Sequence, residues 1–152
     1  MAKLNFNFTL ISLTILTFMS EKMQGVKSKE FGVYWKTFFM TAMCYPEHVD
    51  KTNPKHMLKM KRYKLHFNNI SYSLPCKFCA QFTRNVLMKK YPLDFSGRVA
   101  LLHSLYLWKD RVNKKLLKQG CTLTKPSPPF KKVLKYYEGL RAVCDKKAGK
   151  CV

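Results

Sequence analysis

Pro75-Cys76-Lys77-Phe78-Cys79 decides how the rest of this chain is read. Two cysteines three apart behind a proline describe the first turn of a helix, where the missing N–H of proline costs nothing and its fixed φ suits the turn. A helix beginning between Ser73 and Pro75, with Ser73 as its cap, sets Cys76 and Cys79 on one face, near enough for a disulfide. Unpaired amides and the positive dipole end favour a thiolate there and draw a cysteine pKa from about 8.5 to about 7 or below; Lys77 adds a further positive charge. Reversible dithiol chemistry is one reading of the pair. A structural disulfide, half of a zinc site and two buried thiols are the others.

The flanking sequence is helical in period. Trp35, Phe38, Phe39, Ala42 and Tyr45 recur at three and four after Gly32, and Pro46 stops the run. Pro54 opens a second helix with Met57, Met60, Lys61, Lys64 and Phe67 in step, closed by an expected loop at Asn68-Asn69-Ile70-Ser71. The third starts at the cysteine pair and passes Phe82, Val86 and Leu87 toward Tyr91-Pro92. After a turn from Pro92 to Gly97, the residues Leu101, Leu105, Trp108 and Val112 form the stripe of a fourth, ending between Leu117 and Gly120. A stiff linker, Cys121 to Pro129, leads to a last amphipathic helix carrying Phe130, Val133, Leu134, Tyr137, Leu140 and Arg141, and then to a Lys/Gly tail with Cys144 and Cys151. No segment alternates as a half-buried strand does, and no repeat occurs. These elements predict an all-α fold, a four-helix bundle core with an additional C-terminal helix. A thioredoxin-like setting for the cysteine pair needs strands and a βαβ unit, so a helical redox domain is what remains.

Composition bounds the rest. A chain of 152 residues is one domain, and an apolar fraction of 47% with 14% aromatics excludes a disordered chain. The 29 Lys and Arg against 8 Asp and Glu leave a net charge of +21, the mark of polyanionic partners or surfaces. The basic residues are spread along the chain and no zinc-finger, RNA-binding or homeodomain signature accompanies them, which points to weak, nonspecific polyanion binding. Six cysteines, Cys44, Cys76, Cys79, Cys121, Cys144 and Cys151, suit either an oxidising compartment or an enzyme that makes its own disulfides. Cys44, near a helix end, reads as a buried thiol. The uncharged run from Leu4 to Ser20 is short for a membrane span and resembles a secretory leader with a cut near Ser20; an apolar extension is the alternative. Asn69-Ile70-Ser71 is a glycosylation sequon that matters only in the secretory pathway.

Taken together, the segments from Gly32 to Lys118 resemble the Erv/ALR family of FAD-linked sulfhydryl oxidases, particularly the compact versions encoded by large DNA viruses. The resemblance rests on Gly32 and Trp35 at the entry with Ala42 and Tyr45-Pro46 behind them, and on Pro75, Cys76, Cys79 and Ala80 as Pro-Cys-x-x-Cys-Ala. It continues with Pro92, Ser96 and Arg98, and with Val112, Asn113, Leu116 and Lys118 as Val-Asn-x-x-Leu-x-Lys. Two positions depart from the pattern: Phe39 replaces a histidine, and Lys109-Asp110 replace His-Asn. Phe39 can still pack a ring system and Lys109 can still offer charge to a flavin or its phosphates.

The resemblance implies the division 1–25 as an apolar or signal-like extension, 26–120 as the oxidase domain and 121–152 as a C-terminal helix with a basic, cysteine-containing tail. It further implies FAD held by Gly32, Trp35, Val112, Asn113, Leu116 and Lys118. A protein dithiol attacks the Cys76–Cys79 disulfide at Cys76; Cys79 passes electrons to the flavin, and molecular oxygen takes them to give hydrogen peroxide. A homodimer is implied as well, working in the host cytoplasm or, if the N-terminal segment acts, at a membrane or in the secretory pathway. A distal disulfide of Cys121 with Cys144, or a shuttle of Cys151 with Cys144, follows from the same resemblance. Two other functions stand beside this one: a basic nucleic-acid- or virion-binding helical protein without oxidase chemistry, and zinc binding by Cys76 and Cys79 with His66 or His103.

Overall fold

The computed structural model describes residues 32–74, 76–122 and 124–142, and the backbone of 144–145 and 150–151. The N-terminal apolar run and Pro75 therefore lie outside the described residues. The helices are α1 (Gly32–Met43), α2 (Pro54–Ser73), α3 (Lys77–Phe82) continuing through a π-helical turn (Thr83–Leu87) into α4 (Met88–Lys90), α5 (Arg98–Lys118) and α6 (Phe130–Glu138). The fold is all-α, as the periodicity predicts. To it is added a two-stranded antiparallel ladder, β1 (Cys144–Asp145) with β2 (Lys150–Cys151), whose strands are too short for alternation to reveal.

Local chemistry sets the boundaries. Asn53 caps α2, its Oδ1 accepting the Lys55 N–H at 3.0 Å, with Pro54 in the first turn. The loop expected at Asn68–Ser71 does not form: α2 runs on to Ser73, because Ile70 and Ser71 are buried while Asn68 and Asn69 face solvent. Burial against the core outweighs the modest helix preference of asparagine. The sequon therefore sits within a helix, its Ser71 fully buried. Ser73 does not cap the next helix but ends α2, its Oγ donating to the Ile70 carbonyl at 3.0 Å. At the other end of the bundle Gly120 adopts φ 74°, and the N–H groups of Gly120 and Cys121 bond back to Leu117 and Leu116, both at 3.0 Å. Only glycine takes that left-handed closure without cost.

The core is the α1–α2–α5 contact, with Ala42, Phe67, Leu101, Leu102 and Leu105 all fully buried. Tyr45 enters it from the end of α1 and donates to the Phe95 carbonyl at 2.9 Å; burial, then the nearby Tyr63 and Asp94, push its pKa up to about 12. Gly97 passes so close to the Glu47 carbonyl that no side chain fits there, and the Arg98 N–H donates to Pro46 at 2.8 Å. The buried Arg98 guanidinium faces Glu47 at 3.8 Å and Glu138 of α6 at 3.5 Å, which ties three segments together. α6 covers α1 by setting Tyr137 edge-on to Phe39, 5.1 Å between ring centres. Its helix ends at Glu138, leaving Leu140 and Arg141 beyond it; Arg141 pairs with Glu138 at 3.1 Å.

Candidate functional site

Cys76 is itself the cap of α3. Its backbone is extended and its Sγ accepts the N–H of Cys79 at 3.3 Å, so the pair shares the first turn, and both cysteines are thiols in this structure. The sequence placed the cap at Ser73. A sulfur can serve because Cys76 occupies the position whose side chain reaches the third amide.

Both thiols lie on the wall of a cavity of about 310 Å³ between α1, the C-terminal end of α2, α3 and α5. Trp35, Phe38, Phe82 and Trp108 make its lining aromatic, and Val112 and Leu116 complete the α5 side. The Trp108 indole N–H donates to the Tyr91 carbonyl at 2.6 Å, which fixes that ring. Phe78 projects outward, 76% exposed, between the two half-buried cysteines.

The helix start does not lower the thiol of Cys79. Burial, then the hydrogen bond and charge of Cys76, push its pKa up to about 12; Lys115, on the same cavity wall, pulls the other way. A group at the first turn feels the dipole, but removal of the thiolate from water costs more here. Lys115 is a site residue that the sequence reading missed. It occupies an open position of the Val-Asn-x-x-Leu motif, and its spacing of three from Val112 and seven from Trp108 is the signal that would have found it.

A second cavity of about 280 Å³ lies across Trp35, between α1, α5 and α6, and includes Gly32, Phe39 and Tyr106. Three lysines reach it: Lys36, Lys109 and Lys132. The Lys109 Nζ stands 5.7 Å from the Trp35 ring centre, burial lowers its pKa, and among the described residues no carboxylate comes within ion-pair distance of it. The adjacent Asp110 pairs with Lys114 at 2.6 Å instead. Phe39 is core, 2% exposed, between Trp35 and Tyr137.

The predicted site residues divide accordingly. Cys76, Cys79, Trp35, Val112 and Leu116 meet in the first cavity, and Gly32 joins Trp35 in the second. Asn113 instead donates from Nδ2 to Ser127 Oγ at 3.0 Å and pins the linker, and Lys118 is exposed, lining neither cavity. Cys44 is exposed rather than buried, its thiol donating to the Met40 carbonyl at 3.6 Å. In the ladder, the backbone of Cys144 is in register with that of Cys151; their side chains lie outside the described residues.

A flat, largely apolar ring with an anionic tail fits these two cavities. The aromatic walls suit the ring, and three lysines, one of them half-buried and in no ion pair among the described residues, suit a diphosphate. Among the described residues no three His, Cys, Asp or Glu side chains gather as a metal would require. His103 packs against Phe130 at 4.7 Å and His66 against Phe67 at 5.0 Å. No helix among the described residues is long and apolar enough to cross a membrane.

The family model described as the Erv1 / Alr family matches residues 33–133, from α1 through both cavities into α6. No curated protein matches the chain.

Proposed function

Because the chain belongs to the Erv1 / Alr family of FAD-binding sulfhydryl oxidases, we propose that it forms disulfides in protein substrates through Cys76 and Cys79, with FAD and then oxygen as electron acceptors and hydrogen peroxide as product. The observation that carries this is the placement of both cysteines on the wall of one aromatic cavity beside Trp35. When bound, FAD supplies the two-electron acceptor and the route to oxygen.

The residues of the chain do the remaining work. Cys76, the cap of α3 and two residues before the exposed Phe78, is the sulfur that an incoming thiolate meets first. In the oxidised pair the Cys76–Cys79 bond breaks as the bond to the substrate sulfur forms, and the leaving Cys79 thiolate is steadied by Lys115 on the same cavity wall. Trp35, Phe38, Phe82 and Trp108 would hold the flavin ring, and Lys36, Lys109 and Lys132 would meet the diphosphate. Lys109 thus offers a charge where the family pattern has an imidazole.

Purified protein is expected to be yellow, with a flavin absorbance spectrum, and to consume oxygen when given dithiothreitol or a reduced protein. A colourless, well-folded protein that consumes no oxygen overturns the proposal.

A further inference from the structure

From Lys51 to Lys90 the chain holds ten lysines and arginines and no acidic residue. That stretch runs from just before α2 to the end of α4, so the redox pair sits within a segment that carries basic residues and no acidic ones. Every one of those side chains but Arg84 is exposed, and among the described residues none is in an ion pair. None of the described acids lines the cavity at the thiols.

Beside Cys76 this segment also exposes apolar rings. Phe78 and Tyr72 are each 76% exposed, and Arg84 stacks on the Tyr72 ring at 5.3 Å. A surface groove lined by Phe38, Leu65 and Ile70 together with Arg62, His66 and Asn69 shares Phe38 and Ile70 with the redox cavity. The apolar track therefore runs from the redox cavity along α2, with the Arg62 guanidinium beside it.

We propose that this face docks the protein substrate, and that it selects dithiols carried on acidic segments with an apolar residue nearby. The apolar residue seats against Phe78 and the groove, and the carboxylates meet the α2 cations. The inference rests on the oxidase reading of Cys76 and Cys79. Charge complementarity also argues against the chain's own tail as occupant, since residues 141–152 carry one acid, Asp145, against four basic residues. In the reaction, a substrate thiolate bonds to Cys76 Sγ while the Cys76–Cys79 bond breaks and Cys79 leaves with the electron pair. The second substrate thiolate then displaces Cys76, and two electrons have passed from the substrate to the pair.

The test compares oxygen consumption by the flavin-loaded full chain with three reduced dithiol peptides that differ only in their flanks, Glu, Gln or Lys, and with uncharged dithiothreitol. The Glu peptide is expected to exceed the Lys peptide in kcat/KM by about tenfold or more at low salt, the gap closing toward about 0.5 M salt. Arg62→Glu is expected to narrow the gap by about threefold and to leave dithiothreitol turnover unchanged. Equal kcat/KM for the Glu and Lys peptides, or a gap that salt does not reduce, overturns the proposal. Failure with dithiothreitol as well sinks the oxidase reading itself, and the surface is then judged by binding of a fluorescent Glu peptide. Salt-sensitive binding that the Lys peptide lacks supports it, and equal binding of the two overturns it. An oligonucleotide that binds more tightly than the Glu peptide and displaces it assigns the face to nucleic acid and also overturns the proposal.

Discussion

The N–H of Cys79 donates to the Sγ of Cys76 at 3.3 Å, so the first cysteine caps the helix that carries the second. Serine is a better cap than sulfur and alanine is none. Cys76→Ser is therefore expected to keep the fold at parental stability, and Cys76→Ala to lose about 1 kcal/mol in urea unfolding. Both should lose dithiol turnover in an oxygen electrode. An alanine variant as stable as the serine one would show that the cap contributes nothing.

The thiol of Cys79 is held up at about 12 mainly by burial, with Lys115 opposing. The charged or titratable groups on that cavity wall are Tyr34 from α1, Cys76 and Lys115. A thiol whose folded pKa exceeds its ordinary 9.0 contributes stability below pH 9, lost as pH rises toward about 12. Removal of the Lys115 charge moves the upper end of that window higher still. In a Cys76→Ser background, Lys115→Gln is expected to slow alkylation of Cys79 by iodoacetamide at pH 9 several-fold and to shift its pH profile upward. An unshifted profile would mean that Lys115 does not act on this sulfur.

What the sequence made legible was what repeats. The stripe of Leu101, Leu105, Trp108 and Val112 reports a buried helix face, and the same spacing continues through Leu116 to the cavity. Ends decided by a single competition were not legible. The polar string Asn68-Asn69 resembles a loop until the burial of Ile70 and Ser71 is known, and Cys76 displaced Ser73 as a cap because α2 continued one turn further. Lys109 was visible as a departure from a motif, but its place over Trp35, in a cavity that α6 also lines, depends on tertiary packing that the motif does not report.

Lys109 is half-buried over Trp35 at 5.7 Å, and burial lowers its pKa. A lysine whose folded pKa lies below its ordinary value costs stability at neutral pH, and the cost fades as pH rises toward the usual lysine range. A bound diphosphate removes that cost by supplying the missing anion. Lys109→Met is thus expected to raise the Tm of flavin-free protein by a few degrees, and yet to increase flavin loss during gel filtration in salt. If the variant retains flavin as the parent does across salt, the second cavity does not hold the anionic half of the cofactor.

Two glycines separate a packing requirement from a site requirement. A Cβ at Gly97 would overlap the Glu47 carbonyl oxygen, while one at Gly32 meets nothing within 4 Å. Gly97 is buried in extended backbone between the Val49 N–H to Ser96 bond at 2.9 Å and the Arg98 N–H to Pro46 bond at 2.8 Å. Relief of the overlap must lengthen one of them and loosen Arg98 from Glu47 and Glu138. Gly97→Ala is expected to cost about 1–3 kcal/mol in chemical unfolding with the flavin spectrum of the surviving fold unchanged. Gly32→Ala, at the start of α1, should be neutral or stabilising by up to about 1 kcal/mol. Because Gly32 lines the lysine-bearing cavity, any effect of that substitution should appear in flavin affinity rather than in Tm. A large loss of stability at Gly32, or none at Gly97, would contradict the packing described for these two turns.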